Sequence, residues 1–377
     1  MHAPNILSTI LKHDNKQTSY KIALLRAIND TVLAYPDLSG EGLDVAVPLR
    51  HLAEHWLAYY WAFADAEKPV MQGVRTMRAS VLRNDMAFRP KLTRLRLEWE
   101  KQFGSSLSSD GYVLVGEMRV PRRRAPYPEA FAKLYGDTLK KIATTLRQPV
   151  QYAGPGEWTV FARPTRLSQL EKATAIPVTA SRESCLVVSN ELWRTFKDVS
   201  LWVEALCIHE WSLFTESVAE DVTRGDAYTL LTERPDNRRP LSWERNNIDI
   251  LMMEGHNFTC PWTHKRLTQS AYDLDHLIPV SVYPTNELWN LVPADPHFNM
   301  HVKRARLPTK AKLAAARPHL GSAYAHYGRS PKLQRALQED AALRFKQLAN
   351  APDAPQITEA VISLVSAVTS SRNLATF

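Results

Sequence analysis

Five residues late in the chain are of types that do hydrolytic chemistry together. Asp275 and His276 are adjacent, Pro279 and Ser281 follow, Asn290 precedes Leu291, and Asn299 lies 23 residues after the histidine, with Lys303 four further on. An imidazole with an ordinary pKa near 6.5 is mostly unprotonated at neutral pH and takes a proton from water. Carboxylate and carboxamide oxygens suit a hard divalent cation. Taken singly, each residue has a plainer use: an Asp-His pair in a cap or salt bridge, an asparagine in a turn, a lysine in water. The ordered set DxDHxxPxS, WNL and NxxxK is much harder to reach by chance.

Such residues need elements that hold them. A strand carrying Asp275 and His276 turns the two side chains to opposite sides, so that adjacent residues divide the work. A loop, a second short strand near Asn290 and one helix complete the unit. Asp295 is a natural cap for that helix, Pro296 suits its first position and Pro308 stops it. On the helix Lys303 shares a face with Asn299, whereas His297 and His301 point roughly 200° away from Asn299. A unit of about 50 residues needs support from its neighbours or from a metal.

The stretch from Asn257 to Lys310 resembles the HNH nuclease domain. That family's ββα-metal core has a strand bearing Asp-His, a loop, a strand near an Asn-Leu pair and a helix with the last metal ligand. Asn290 lies 14 residues after His276, a spacing of the kind seen in the HNH domains of RNA-guided nucleases. The resemblance covers about one seventh of the chain. It implies a metal-dependent endonuclease that hydrolyses DNA, double-stranded by expectation. His276 is then the general base, Asp275 the carboxylate ligand, and Asn299 a second ligand through its amide oxygen. Phosphate and water complete the shell of Mg²⁺ or Mn²⁺. Asn290 is expected to hydrogen-bond across the loop and hold the His276 segment, and Lys303 to contact phosphate or the leaving oxygen. Arg304, Arg306 and Lys310 extend a basic surface towards nucleic acid.

Two departures from the family matter. Many members carry histidine where Asn299 stands, and an oxygen pair favours Mg²⁺ or Mn²⁺ over Zn²⁺ or Ni²⁺. His297 and His301 rank below Asn299 as ligands, with phosphate or structural roles. Many members also staple this core with two CxxC pairs. Here only Cys260 is present, followed by Pro261, Trp262 and Thr263. A structural zinc is therefore not expected, and packing by Phe258, Trp262 and Leu267 must replace it. Accessory domains on bacterial HNH nucleases often serve restriction or phage defence, so the N-terminal part is expected to place DNA or to sense an activating protein partner. RNA cleavage is an alternative, because the metal chemistry reads neither sugar nor base. A nucleic-acid-binding or scaffold protein with a relic core is another, opposed by the intact Asp275, His276, Asn290 and Asn299.

The whole chain reads as α+β and predominantly helical, with the ββα-metal core embedded between helical regions. Residues 1–150 form a mainly helical N-terminal part and 151–250 a mixed α/β middle with a linker. The core occupies 251–310, and helices follow in 311–377, including Ser330 to Leu348. Ile22, Leu25, Ile28 and Val32 recur at helical spacing after Ser19, a candidate N-cap, until Pro36. A second helix is expected from Pro48, with Leu49, Leu52, Trp56 and Tyr60 on one face. The aromatic stripe of Trp56, Tyr59, Tyr60 and Trp61 reads as core rather than as a base-stacking platform. Another helix is expected from Glu129 to about Leu146. Alternation predicts strands at Glu157–Arg163 and Cys185–Val188. Glu191 to Ala219 is helical; His209 and Glu210 within it lack a second histidine four residues on, so structural packing is expected of them. Pro235, Asp236, Asn237 and Pro240 mark the linker.

Charge points the same way as the motif. The 377 residues carry a net charge of +8, with a pI near 9.3, and polyanions are natural partners of a basic chain. The excess gathers in Arg75–Lys101, in Met118–Arg124 and in Met300–Arg317, where six basic residues stand without an acid. Phosphate contacts and solvated helix faces both fit such segments. The densest apolar stretch, Trp56 to Ala64, is too short to cross a bilayer, and no secretory leader opens the chain. With three scattered cysteines, Cys185, Cys207 and Cys260, a reduced cytoplasmic setting is expected.

Overall fold

A computed structural model describes residues 6, 8–13, 16–74, 76–78, 81–83, 85–105, 107–233, 241–269, 271–283, 285–348, 351–372 and 375–377. The chain is α+β and predominantly helical. It divides into two compact units, Met1–Arg234 and Pro235–Phe377. The linker residues Pro235, Asp236, Asn237 and Pro240, and Arg75 of the first basic segment, lie outside the described residues. No helix among the described residues is long and apolar enough to cross a membrane.

In the first unit the spacing after Ser19 becomes the helix Tyr20–Ala34, buried along nearly its whole length. Ser19 does not cap it, because its hydroxyl pairs with that of Tyr60 at 2.8 Å. The helix Leu49–Trp61 begins just past Pro48, which closes the strand Asp44–Pro48. Trp56, Tyr59, Tyr60 and Trp61 are all buried, so no base can stack on them. The helix from Glu129 runs on to Gln151, carrying Pro149 inside its last turn. One four-stranded sheet has the order Thr165–Arg166, Ser184–Val188, Asp44–Pro48, Ala173–Ala175. Its last two strands are parallel and the other neighbours antiparallel.

Two sequence expectations fail here. Residues 157–163 form no strand: Trp158 has φ 58° and donates its N–H to the Gln151 carbonyl at 2.7 Å, so the alternation belongs to a tight reversal. The helix Asn190–Val218, capped by Ser189 and kinked at Val199, does not bury His209. His209 is exposed beside an apolar groove that also involves Leu201 and Tyr228, while Glu210 pairs with Lys12 at 2.9 Å.

The second unit wraps helices Ser242–Met253, Lys310–Tyr327, Pro331–Arg344 and Ala354–Arg372 around a two-stranded antiparallel hairpin, Asp273–His276 with Leu291–Ala294. Phe258, Trp262 and Leu267 are buried in the same core as Trp289, Tyr324 and Tyr327. Each apolar side chain so buried contributes about 1.5–3 kcal/mol relative to exposure. The chain's last residue closes the unit: the Phe377 N–H donates to the Leu307 carbonyl and the Thr309 N–H to that of Phe377.

Candidate active site

The hairpin register places Asp275 opposite Val292 and His276 opposite Leu291. A two-stranded ribbon is marginal alone in water, and side chains from neighbouring helices hold this one. Tyr324 and Tyr327 donate their hydroxyls to the carbonyls of Trp289 and Leu291 at 2.5 and 2.9 Å. The buried Asp340 accepts from the N–H of Leu288 at 2.7 Å. At the other end Arg245 donates to the Tyr272 carbonyl, and Tyr272 donates to Asp249.

Asn290 bridges the two strands' connection. It is fully buried; its amide oxygen accepts from the Ile278 N–H at 2.8 Å and its amide nitrogen donates to the Ile278 carbonyl at 3.0 Å. The backbone just past His276 is thereby clamped on both its donor and its acceptor. The ring of His276, 5% exposed, has its Nε2 2.7 Å from Oδ1 of Asn286. Burial holds the imidazole below its ordinary pKa, against the upward pull of Asn286 and Asp275. The ring is therefore neutral at physiological pH.

Asp275 is 6% exposed, and burial pushes its carboxyl above the ordinary value against the downward pull of Lys303. Oδ1 accepts from the Lys303 ammonium at 3.0 Å, while Oδ2 is buried with the Trp262 indole as its polar neighbour, which also draws the carboxyl down. The Lys303 ammonium also donates to the His276 carbonyl at 2.7 Å. This corrects the expectation that Lys303 reaches outward to phosphate. It is 1% exposed and acts as the counter-ion inside the hairpin.

The reason lies in the helix. Asp295 accepts from the Phe298 N–H and Pro296 takes the first position, as their types suggest. The helical segment is short, however: Pro296–Phe298 passes into a single π turn, Asn299–Lys303, closed by the Arg304 N–H on the Asn299 carbonyl. Asn299 and Lys303 lie on the face of this segment that packs on the hairpin, where they reach Asp273 and Asp275. Pro308 is not the stop. The chain turns at Arg304, which has φ 50° and ψ −128°, and Arg306 donates its N–H back to the Lys303 carbonyl.

Asn299 is partly buried and donates its amide nitrogen to Asp273 at 3.1 Å. The group it can offer a cation is therefore its oxygen. Among the described residues no cluster of three or more His, Cys, Asp or Glu could hold a metal by itself. The oxygens nearby are the second carboxylate oxygen of Asp275 and the amide oxygen of Asn299, hard donors of the kind that suit Mg²⁺ or Mn²⁺ when phosphate and water supply the rest. The rings of His297 and His301 lie 4.7 Å apart, tilted at 47°, on the exposed side of the segment. Arg304 and Lys310 are exposed, whereas Arg306 is half-buried and spends its guanidinium on the Val302 carbonyl. Sequence reasoning did not find Asn286, Asp340 or Asp273 as partners of the site; the DxDH spacing was the one available signal for Asp273.

Residues 1–231 match a domain of unknown function (DUF8808), and residues 260–309 match an HNH endonuclease. No curated protein and no solved structure matches the chain.

Proposed function

This chain belongs to the family defined by the domain of unknown function DUF8808 and joins to it a segment similar to HNH endonucleases; from that premise we propose that it is a metal-dependent endonuclease hydrolysing DNA phosphodiester bonds. The observation that carries the proposal is the buried Asp275 carboxylate, which keeps one oxygen off the Lys303 ammonium, beside His276, whose ring burial holds below its ordinary pKa. A fully paired structural carboxylate would leave nothing for a cation, and a protonated imidazole could take no proton from water.

A phosphodiester is anionic and repels hydroxide, so cleavage needs a local base and a positive charge at the phosphate. His276 takes the proton from water. Asp275 and Asn299 hold the cation, which when bound neutralises charge building on the phosphate oxygens. Lys303 keeps Asp275 ionised despite its burial, and Asn290 fixes the backbone that aims His276. Arg304 and Lys310, with Arg306 at their edge, meet the nucleic-acid backbone; their affinity comes from counter-ion release. In this reading residues 251–310 are the nuclease core and 311–377 its brace. Residues 1–150 and 151–250 place DNA or answer to an activating protein partner. Restriction or phage defence is the setting it favours, in a cytoplasm that keeps Cys185, Cys207 and Cys260 as free thiols.

The test is incubation of the purified protein with supercoiled plasmid, linear duplex, single-stranded DNA and RNA, in Mg²⁺, Mn²⁺ or EDTA. Cleavage of duplex DNA that needs the cation and falls about 10²–10⁴-fold in His276→Ala is expected. Cleavage confined to RNA would replace the substrate, and wild-type rates in His276→Ala would remove the base.

A further inference from the structure

We propose that Asn286 is a positioning residue that fixes the tautomer of His276, keeping the ring proton on Nε2 and leaving Nδ1 as the atom that accepts a proton from water. The proposal rests on the reading of His276 as the general base. It goes further by naming the reacting nitrogen and the residue that selects it.

A neutral imidazole has one N–H and one lone pair, and an amide oxygen only accepts. With Nε2 2.7 Å from Oδ1 of Asn286, the bond exists only when Nε2 carries the proton. With the Asn286 carboxamide oriented as in the structure, the other tautomer sets two lone pairs against each other in a part-buried site, where an unmade hydrogen bond costs about 1–3 kcal/mol. That is enough to hold the ring at least five to one in a single form.

Asn286 is itself braced. The Thr285 N–H donates to the Tyr283 carbonyl at 2.7 Å, and the Glu287 N–H turns back to the Thr285 hydroxyl at 3.3 Å. Glu287 accepts from the indole of Trp289 at 2.6 Å, next to Leu288, whose N–H is held by Asp340. The loop that presents Asn286 is thus tied to the helix Pro331–Arg344, while Lys303 and Asn290 fix the backbone on either side of the His276–Leu277 bond. The ring is held at its far edge and at its root. A neutral amide also does this without a negative charge that would draw a second proton onto the ring, which a base must avoid.

Full-length protein labelled with ¹⁵N-histidine, with the His276 signals identified by their loss in His276→Gln, reports the tautomer by long-range ¹H–¹⁵N correlation, with or without catalytic activity. Wild type is expected to show a protonated Nε2 and a bare Nδ1. Asn286→Ala should shift both nitrogens towards averaged values and lower kcat about 10–100-fold, with KM within twofold and a cooperative melting curve that still shows a folded protein. Asn286→Asp, which keeps an oxygen acceptor, should keep the proton on Nε2 while Nδ1 takes up its proton at a higher pH than in wild type. A wild-type ring protonated on Nδ1, or an Asn286→Ala variant with wild-type nitrogen shifts and kcat, would overturn the proposal. Full cleavage by His276→Ala would instead sink the general-base reading and leave the tautomer assignment standing.

Discussion

The two units use their cations differently. In the first, three of the basic residues dense in the sequence turn inward as struts, while Lys91, Arg94 and Arg124 stay exposed. Arg96 is 5% exposed and spans the carbonyl of Trp61, Asp65 and Glu100. Arg89 reaches the carbonyls of Phe63 and Val70 as well as Asp85, and Arg123 is buried in the short helix Pro121–Arg124. In the second unit Lys303 goes inside, while Arg304 and Lys310 stay in water a few residues away. Clustered charge in a sequence therefore does not locate a polyanion surface. Whether each guanidinium or ammonium finds a buried oxygen decides what remains for phosphate.

Charge removal is the way to break that contrast. Lys303→Met should be the most damaging, destabilising the second unit by about 3–5 kcal/mol because it strands a buried carboxylate. Burial already raises the Asp275 carboxyl, so the variant's deficit, followed by urea denaturation, should shrink as pH falls and the acid takes up its own proton. Arg96→Met should cost about 2 kcal/mol, less because its carboxylate partners are partly in water and can be resolvated. Neither change should alter the salt dependence of DNA binding. Lys310→Ala should leave stability within about 0.5 kcal/mol and lower the slope of log K against log salt by about 0.9. A Lys303 or Arg96 variant that lost salt dependence would reverse the assignment of struts and contacts.

The same contrast explains what could be read from the sequence. Features set by neighbours a few residues apart were legible: the Asp295 cap, Pro296 at the helix start, the hairpin strands, and the helices after Ser19, Pro48 and Ser330. Asn290 was legible as a loop clamp for a related reason, since its partner Ile278 lies at the other end of the same loop. Lys303 shares its face with Asn299 as the spacing predicts, but that face packs on the hairpin and not on solvent, and only tertiary packing decides this. Asn286 and Asp340 were invisible: an asparagine in a polar loop and an acid on a later helix carry no periodic signal, and only packing brings them to His276 and Leu288. Alternation in residues 157–163 misled because polar and apolar residues also alternate through a turn that never pairs.

Protons sharpen the comparison in the first unit. His51 is buried among Tyr35, His55 and Glu54, with Arg50 and Arg119 adding positive charge, and burial above all holds its pKa well below 6.5. Its folded value is depressed, so the stability it contributes is whole above pH 6.5 and is lost as pH falls from there through the folded value. The loss should run at about 1.4 kcal/mol per pH unit. Urea midpoints of the protein between pH 7.5 and 5 should therefore drop, and His51→Phe should flatten that limb. An unchanged acid slope in the variant would shift the proton uptake to another group.

The smallest effect separates binding from folding at one residue. Arg304 occupies the first central position of a type II′ turn, with φ 50° and ψ −128°, closed by the Arg306 N–H on the Lys303 carbonyl. That position favours glycine, and a residue with a Cβ is strained there by roughly 1–2 kcal/mol. Arginine offsets none of this by burial, since it is exposed. Arg304→Gly should therefore stabilise the second unit by about 1 kcal/mol in urea denaturation, after the entropy that glycine adds to the unfolded chain. It should at the same time weaken DNA binding and reduce its salt slope by about 0.9. A variant that gains stability and keeps wild-type affinity would mean that this strained arginine is not a phosphate contact, and Lys310 would then carry the exposed side of the comparison.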